Sequence, residues 1–142
     1  MKIRVKKLVE EAVLPTHGSE EAAGWDLYAL DNAMIHPEQT VLMKTGLAFA
    51  IPKGYVGLVF ARSGLATKRG LAPANKVGVI DSDYRGELIV ALHNHSSISQ
   101  IVEKGDRMAQ MVIVPYLACE YVETDVLDDT ERGSGGFGST GN

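Results

Sequence analysis

Gly78-Val79-Ile80-Asp81-Ser82-Asp83-Tyr84-Arg85-Gly86-Glu87-Leu88 decides how this chain is read. Val77 to Ile80, around one glycine, make an apolar approach to an acidic turn. The turn carries Tyr84 and Arg85, closes on Gly86 and releases a second apolar run from Leu88 to Leu92. Two hydrophobic strand candidates joined by a short polar connection predict a β-hairpin. As a bare turn the segment needs no ligand, because Asp and Ser side chains bond the local backbone. As a site it presents a carboxylate, Asp81, and a flat ring, Tyr84, to a small molecule.

The flanking chain repeats the pattern of short strands and turns. Ile3 and Val5 alternate with Arg4 and Lys6, and Pro15 to Glu21 is a polar loop. In Trp25-Asp26-Leu27-Tyr28-Ala29, alternation sets Trp25, Leu27 and Ala29 on one face and Asp26 and Tyr28 on the other. Val41 to Ile51 reads as a strand interrupted by Gly46, with Pro52-Lys53-Gly54 as its turn. Val56, Leu58 and Phe60 alternate in the next strand. Arg62 to Gly70 is the one helical piece, with Ser63 as N-cap and Gly70 as stop. Met108 to Val114 is an apolar run, interrupted by Gln110 and ended by Pro115, that fits a strand or a buried helix. Turns at such short intervals predict an all-β sandwich or barrel with one short helix. The expected organisation is one β-rich domain over residues 1–127 and a flexible, glycine-rich lid over residues 128–142.

Composition narrows the function. At 142 residues there is room for one domain with a real core. Fifteen glycines favour turns over long helices. A net charge of −4 argues against a broad nucleic-acid or anionic-membrane surface. Cys119 stands alone, the first seven residues are too charged for a signal-peptide core, and no run reaches membrane-span length. A reducing, cytoplasmic setting is expected.

Several groups can do chemistry. Arg62-Ser63-Gly64 opens the helix, where free N–H groups, a hydroxyl and a guanidinium suit an anion, or merely a cap. Asp26 is either a solvated strand residue or an acid near hydrated Mg²⁺. His93 and His95 share a strand face but lack a third ligand for zinc. In the tail, Gly133, Gly135 and Gly138 fit the G-x-G-x-x-G pattern. A dinucleotide reading is rejected, since no helix follows to hold a pyrophosphate. The tail reads either as a plain linker or as a lid. In the lid reading, Arg132, Ser139 and Thr140 meet phosphate and Phe137 stacks on a base.

Five segments in order resemble the trimeric dUTPase family. They are Ala23 to Tyr28, Ala61 to Ala66, Gly78 to Gly86, Gly105-Asp106-Arg107-Met108-Ala109-Gln110, and the tail from Arg132 to Gly141. Together they span nearly the whole chain. The resemblance implies a distorted jelly-roll (β-clip-like) subunit and a homotrimer with active sites at subunit interfaces. It implies hydrolysis of dUTP to dUMP and pyrophosphate with Mg²⁺ on the triphosphate. That activity keeps uracil out of DNA and supplies dUMP for dTMP synthesis. On this resemblance Asp81 is the general base for water attacking the α-phosphorus. Tyr84 packs under the deoxyribose, and the turn at Asn75 with Gly78 reads uracil. Arg62, Ser63, Gly64 and Gln110 bind phosphate, and Asp26 reaches the metal through water. Phe137 covers the uracil beside Gly138, while Arg132, Ser139 and Thr140 hold the γ-phosphate. Two departures, Ala61 where Pro is common and Trp25 where Tyr or Leu is common, predict local changes of stiffness and packing. A dCTP deaminase on a similar fold and a nucleotide-binding regulator without turnover are the competing readings. The intact Asp81–Tyr84 stretch and full tail weigh against both.

Overall fold

The computed structural model describes residues 1–138. In chain order its elements are β1 (Arg4–Lys7), β2 (Trp25–Tyr28), β3 (Ala33–Ile35), β4 (Thr40–Ala50), β5 (Tyr55–Phe60), α1 (Ser63–Arg69), β6 (Leu71–Pro73), β7 (Gly78–Ile80), β8 (Glu87–Asn94), β9 (Gln100–Val102) and β10 (Arg107–Pro115). The strands form two four-stranded sheets, β1-β4-β8-β6 and β2-β10-β5-β7, and a small β3-β9 ribbon. Their pairings are antiparallel. One core joins them. Leu47, Leu71, Leu88 and Leu92 from the first sheet meet Leu27, Met108 and Met111 from the second. Each such side chain, fully buried, contributes roughly 1.5–3 kcal/mol of transfer free energy. The all-β, jelly-roll-like expectation with one short helix holds, and Met108 to Val114 is strand, not helix.

The hairpin does not form. β7 pairs with β5 in the second sheet, whereas β8 pairs with β4 and β6 in the first. Residues 81–86 therefore cross from one sheet to the other. Alternation identifies which side chains of β8 are buried (Leu88, Val90, Leu92), but not which strand lies beside them. The crossing lifts the acidic turn off both sheets and leaves Asp81, Asp83 and Tyr84 exposed.

Other expectations shift in detail. Asp26 is buried at 8% exposure and Trp25 is 42% exposed, which inverts half of the expected alternation in β2. Trp25 instead lies against His17, ring centroids 4.2 Å apart. In β5 the buried face carries Gly57 and Val59, leaving Val56, Leu58 and Phe60 half-buried opposite. Arg62, extended at φ −87° and ψ 131°, is the N-cap of α1, and no side chain caps it. Gly70 closes the helix as expected, in the left-handed region at φ 66°.

Gly46 marks a bulge in β4, where the pairing with β8 shifts between Lys44 and Ala48. Its φ of 69° suits glycine, and its N–H donates to the Glu87 carboxylate at 2.8 Å. This bond anchors the start of β8, directly after the acidic turn.

Candidate active site

Two groups of predicted residues form within the chain, on different parts of the second sheet. The first is built on the turn after β7. Gly78 packs tightly, since a β-carbon there would lie 3.2 Å from Val59 Cβ and 3.6 Å from Asn75 Nδ2. Asn75 sits in the preceding turn, its carbonyl accepting the Val77 N–H at 2.7 Å. Asp81 then lines a depression of about 210 Å³ with Val79, Ile80, Tyr84 and Ile89. The Tyr84 N–H donates to the Asp81 carbonyl at 3.2 Å, which holds ring and carboxylate on one turn. The Tyr84 hydroxyl donates to the Glu87 carbonyl at 3.0 Å, laying the phenol across Gly86. Arg85 braces the same turn, its guanidinium donating to the Ser82 and Tyr84 carbonyls at 2.7 and 2.9 Å.

The second group stands where β2, β10 and the end of β5 meet. Gln110 lies opposite Asp26 on one side and Phe60 on the other. Its amide donates to the Ala61 carbonyl at 2.9 Å. Gly24 makes room for it, since a β-carbon there would lie 2.3 Å from Gln110 Oε1. Arg62 Nε donates to Asp26 Oδ1 at 2.7 Å, and Arg107 approaches Asp26 Oδ2 at 3.4 Å. Ser63 and Gly64 are exposed beside them at the start of α1.

Arg107 has no role in the sequence reading. Strict alternation would put it and Gln110 on opposite faces of β10. The pairing with β2 shifts between Arg107 and Ala109, so Arg107 faces Tyr28 while Gln110 faces Asp26. Tyr28 and Asp26 share a face, and so therefore do Arg107 and Gln110. Met108 and Ala109, the residues around the bulge, are both fully buried. The Gly105 to Gln110 segment pointed to the region, but nothing local signals the bulge.

The two groups lie far apart. Gly57 pairs with Ile80, which sets Asp81 level with Val56, whereas Asp26 is level with Phe60 through Gln110. That is about 13 Å along the strands and about 14 Å across three strand spacings, so roughly 19 Å between Asp81 and Asp26.

Among the described residues, the tail's hydrogen bonds are local and reach neither group. Arg132 Nε donates to the Gly135 carbonyl at 2.9 Å, and Gly133 N–H to Thr130 Oγ1 at 3.1 Å. Phe137 and Gly138 are exposed, with φ of 52° and 83°. Ser139 and Thr140 lie outside the described residues.

Among the described residues no group of three His, Cys, Asp or Glu is placed to hold a metal. Asp26, the residue expected to reach it through water, has both carboxylate oxygens turned to guanidinium groups.

A dUTPase family model matches residues 10–141. The chain belongs to the dUTPase family. A deoxyuridine 5'-triphosphate nucleotidohydrolase of Nautilia profundicola is 49% identical over 141 residues, covering 99% of each chain. The Staphylococcus bacteriophage 80alpha dUTPase, in a G164S mutant solved with dUpNHpp, superposes with a TM-score of 0.91. It is 30% identical and covers 99% of both chains. A dUTPase from phage phi11 of S. aureus has a TM-score of 0.84 and 26% identity over 91% of this chain and 100% of that one. That protein is described as coordinating a structural Mg(II) ion. The five segments that carried the resemblance are thus those of a dUTPase, an enzyme. Its acidic turn and its Asp26–Arg62 cluster are the places to look for the chemistry.

Proposed function

We propose that this dUTPase hydrolyses dUTP to dUMP and pyrophosphate at sites assembled between copies of the chain, with Asp81 from one copy and the Arg62 cluster from another. The separation of roughly 19 Å between these groups within one chain carries the reading. On one substrate the two would act on neighbouring phosphate groups, so a backbone separation this large favours supply from two copies. Asp81 accepts the proton of the water that attacks the α-phosphorus, and its carboxylate is exposed for that purpose. Tyr84 lies flat under the deoxyribose, and the Asn75–Gly78 turn reads uracil beside it. Arg62, Ser63, Gly64 and Gln110 receive the phosphates. Arg132, Phe137, Gly138, Ser139 and Thr140 close over the nucleotide. Mg²⁺ enters with the triphosphate as its companion, and supplies charge neutralisation there.

The assembly is a homotrimer. The arm after β10 supports it, leaving Leu117, Tyr121, Val122, Val126 and Leu127 between 78% and 97% exposed in the single chain. Isolated apolar residues on a surface are ordinary, but a run of this density marks a contact. A cytoplasmic setting fits the exposed free thiol of Cys119 and the substrate. Among the described residues no helix is long and apolar enough to cross a membrane.

Subunit complementation tests the central point. Asp81→Asn and Arg62→Gln are each expected to abolish most turnover. Unfolded together and refolded as a 1:1 mixture, they regain about a quarter of wild-type sites if one site draws the two residues from different copies. No recovery in proven mixed oligomers would place both residues on one chain and overturn the arrangement.

A further inference from the structure

Where the pairing of β4 with β8 shifts, Thr45 to Leu47 stand against the single residue Leu88. Side chains there serve the backbone groups that a regular ladder would pair. The buried Thr45 hydroxyl donates to the Leu88 carbonyl at 2.6 Å and accepts the Leu47 N–H at 3.2 Å. The Glu87 carboxylate accepts the Gly46 N–H at 2.8 Å. Glu87 also holds the far end of the acidic turn, because its carbonyl accepts the Tyr84 hydroxyl at 3.0 Å. The Tyr84 N–H in turn donates to the Asp81 carbonyl. Three bonds thus run in series from the bulge of β4 through Glu87 and Tyr84 to Asp81. Tyr84 is 46% exposed, so packing alone does not fix its ring. The bond to Glu87 is what lays it down.

We infer that Glu87 is a positioning residue for sugar selection: its side chain, bonded across the bulge to Gly46, sets the carbonyl on which the Tyr84 phenol rests. The inference rests on the reading of Tyr84 as the floor under the deoxyribose. A selective contact must hold its geometry to about 0.5 Å. An exposed ring on a turn between two sheets does not meet that tolerance unaided. Tying the carbonyl under it to a second strand supplies the missing restraint. Glu87 itself touches neither sugar nor phosphate in this account.

The test compares kcat/KM for dUTP and for UTP in full-length wild type, Glu87→Ala, Glu87→Gln and Tyr84→Ala, with the denaturant midpoint of each. Glu87→Ala is expected to lower the dUTP-over-UTP ratio about fivefold or more. Glu87→Gln keeps an oxygen that accepts the Gly46 N–H, and is expected to bring the ratio back to within about twofold of wild type. A lowered midpoint with an unchanged ratio in Glu87→Ala would make the contact merely structural and overturn the inference. A ratio as low in Glu87→Gln as in Glu87→Ala overturns it too, since the charge and not the bond would then matter. Tyr84→Ala with the wild-type ratio would instead remove the reading of Tyr84 on which the inference stands. If Glu87→Ala does not fold, Glu87→Asp reports in its place. Its carboxylate is withdrawn by one methylene, so the ratio falls several-fold, and an unchanged ratio overturns the inference.

Discussion

A β-carbon at Gly86 would lie 2.4 Å from the Tyr84 hydroxyl and 2.6 Å from its ring carbon, so the flat placement of the phenol depends on a hydrogen atom at that position. Gly86→Ala is expected to tilt the ring and open the space under the sugar. On the proposed role of Tyr84, the ratio of kcat/KM for dUTP over UTP then falls about tenfold or more. A ratio equal to wild type would show that Tyr84 does not set sugar selectivity. Asp81→Asn changes charge with little change of volume. Loss of a general base typically costs about 10²- to 10⁴-fold in kcat, while dUpNHpp affinity stays within a few-fold. Rapid-quench turnover and calorimetry separate these two effects, and an unaltered kcat would remove Asp81 from the proton transfer.

Elements position these residues through irregularities. The bulge at Gly46 sets Glu87 at the head of β8, and the bulge in β10 turns Arg107 toward Asp26. A β-carbon at Gly46 would meet Ala12 Cβ at 2.9 Å on top of the positive φ. Gly46→Ala is therefore expected to destabilise the fold by about 1–3 kcal/mol, read as a shifted denaturant midpoint. A midpoint equal to wild type would mean that the bulge relaxes freely. The tail is an element of another kind. Among the described residues its hydrogen bonds are local, and Phe137 lies fully exposed. Deleting residues 132–142 should leave circular dichroism and sedimentation unchanged and cut dUTP hydrolysis severely. Full activity in the truncated chain would show that the tail is no lid.

At the scale of the whole molecule, two features of the single chain accord with the proposed association. Its acidic turn and arginine cluster stand apart, and its arm leaves large apolar side chains exposed. A groove of about 560 Å³ lined by Ile3, Val5, Trp25, Phe49 and Ile113 is correspondingly open. Both are what the proposed association of copies would answer. Removing residues 116–142 is therefore expected to dissociate the oligomer, in contrast to the shorter deletion at 132. Equilibrium sedimentation distinguishes the two. A trimer that survives loss of the whole arm would assign the association to other surfaces.

Much of this protein was legible in its sequence. Short apolar alternations and Gly- or Pro-bearing turns are local signals, and they fixed the all-β class, the helix at 63–69 and its glycine stop. The five segments, being runs of neighbouring residues, identified the family. What one chain's residues say only together was decided by tertiary structure. Pairing partners are non-local, so the sequence could not show that β7 and β8 belong to different sheets. A bulge inserts one residue without a local signature, so Arg107 was passed over. Asp26 read as either a solvated strand residue or an acid near Mg²⁺, because alternation gives the phase of a strand but not what covers each face. Two arginines, one of them 36 residues away and the other 81, stand against that carboxylate.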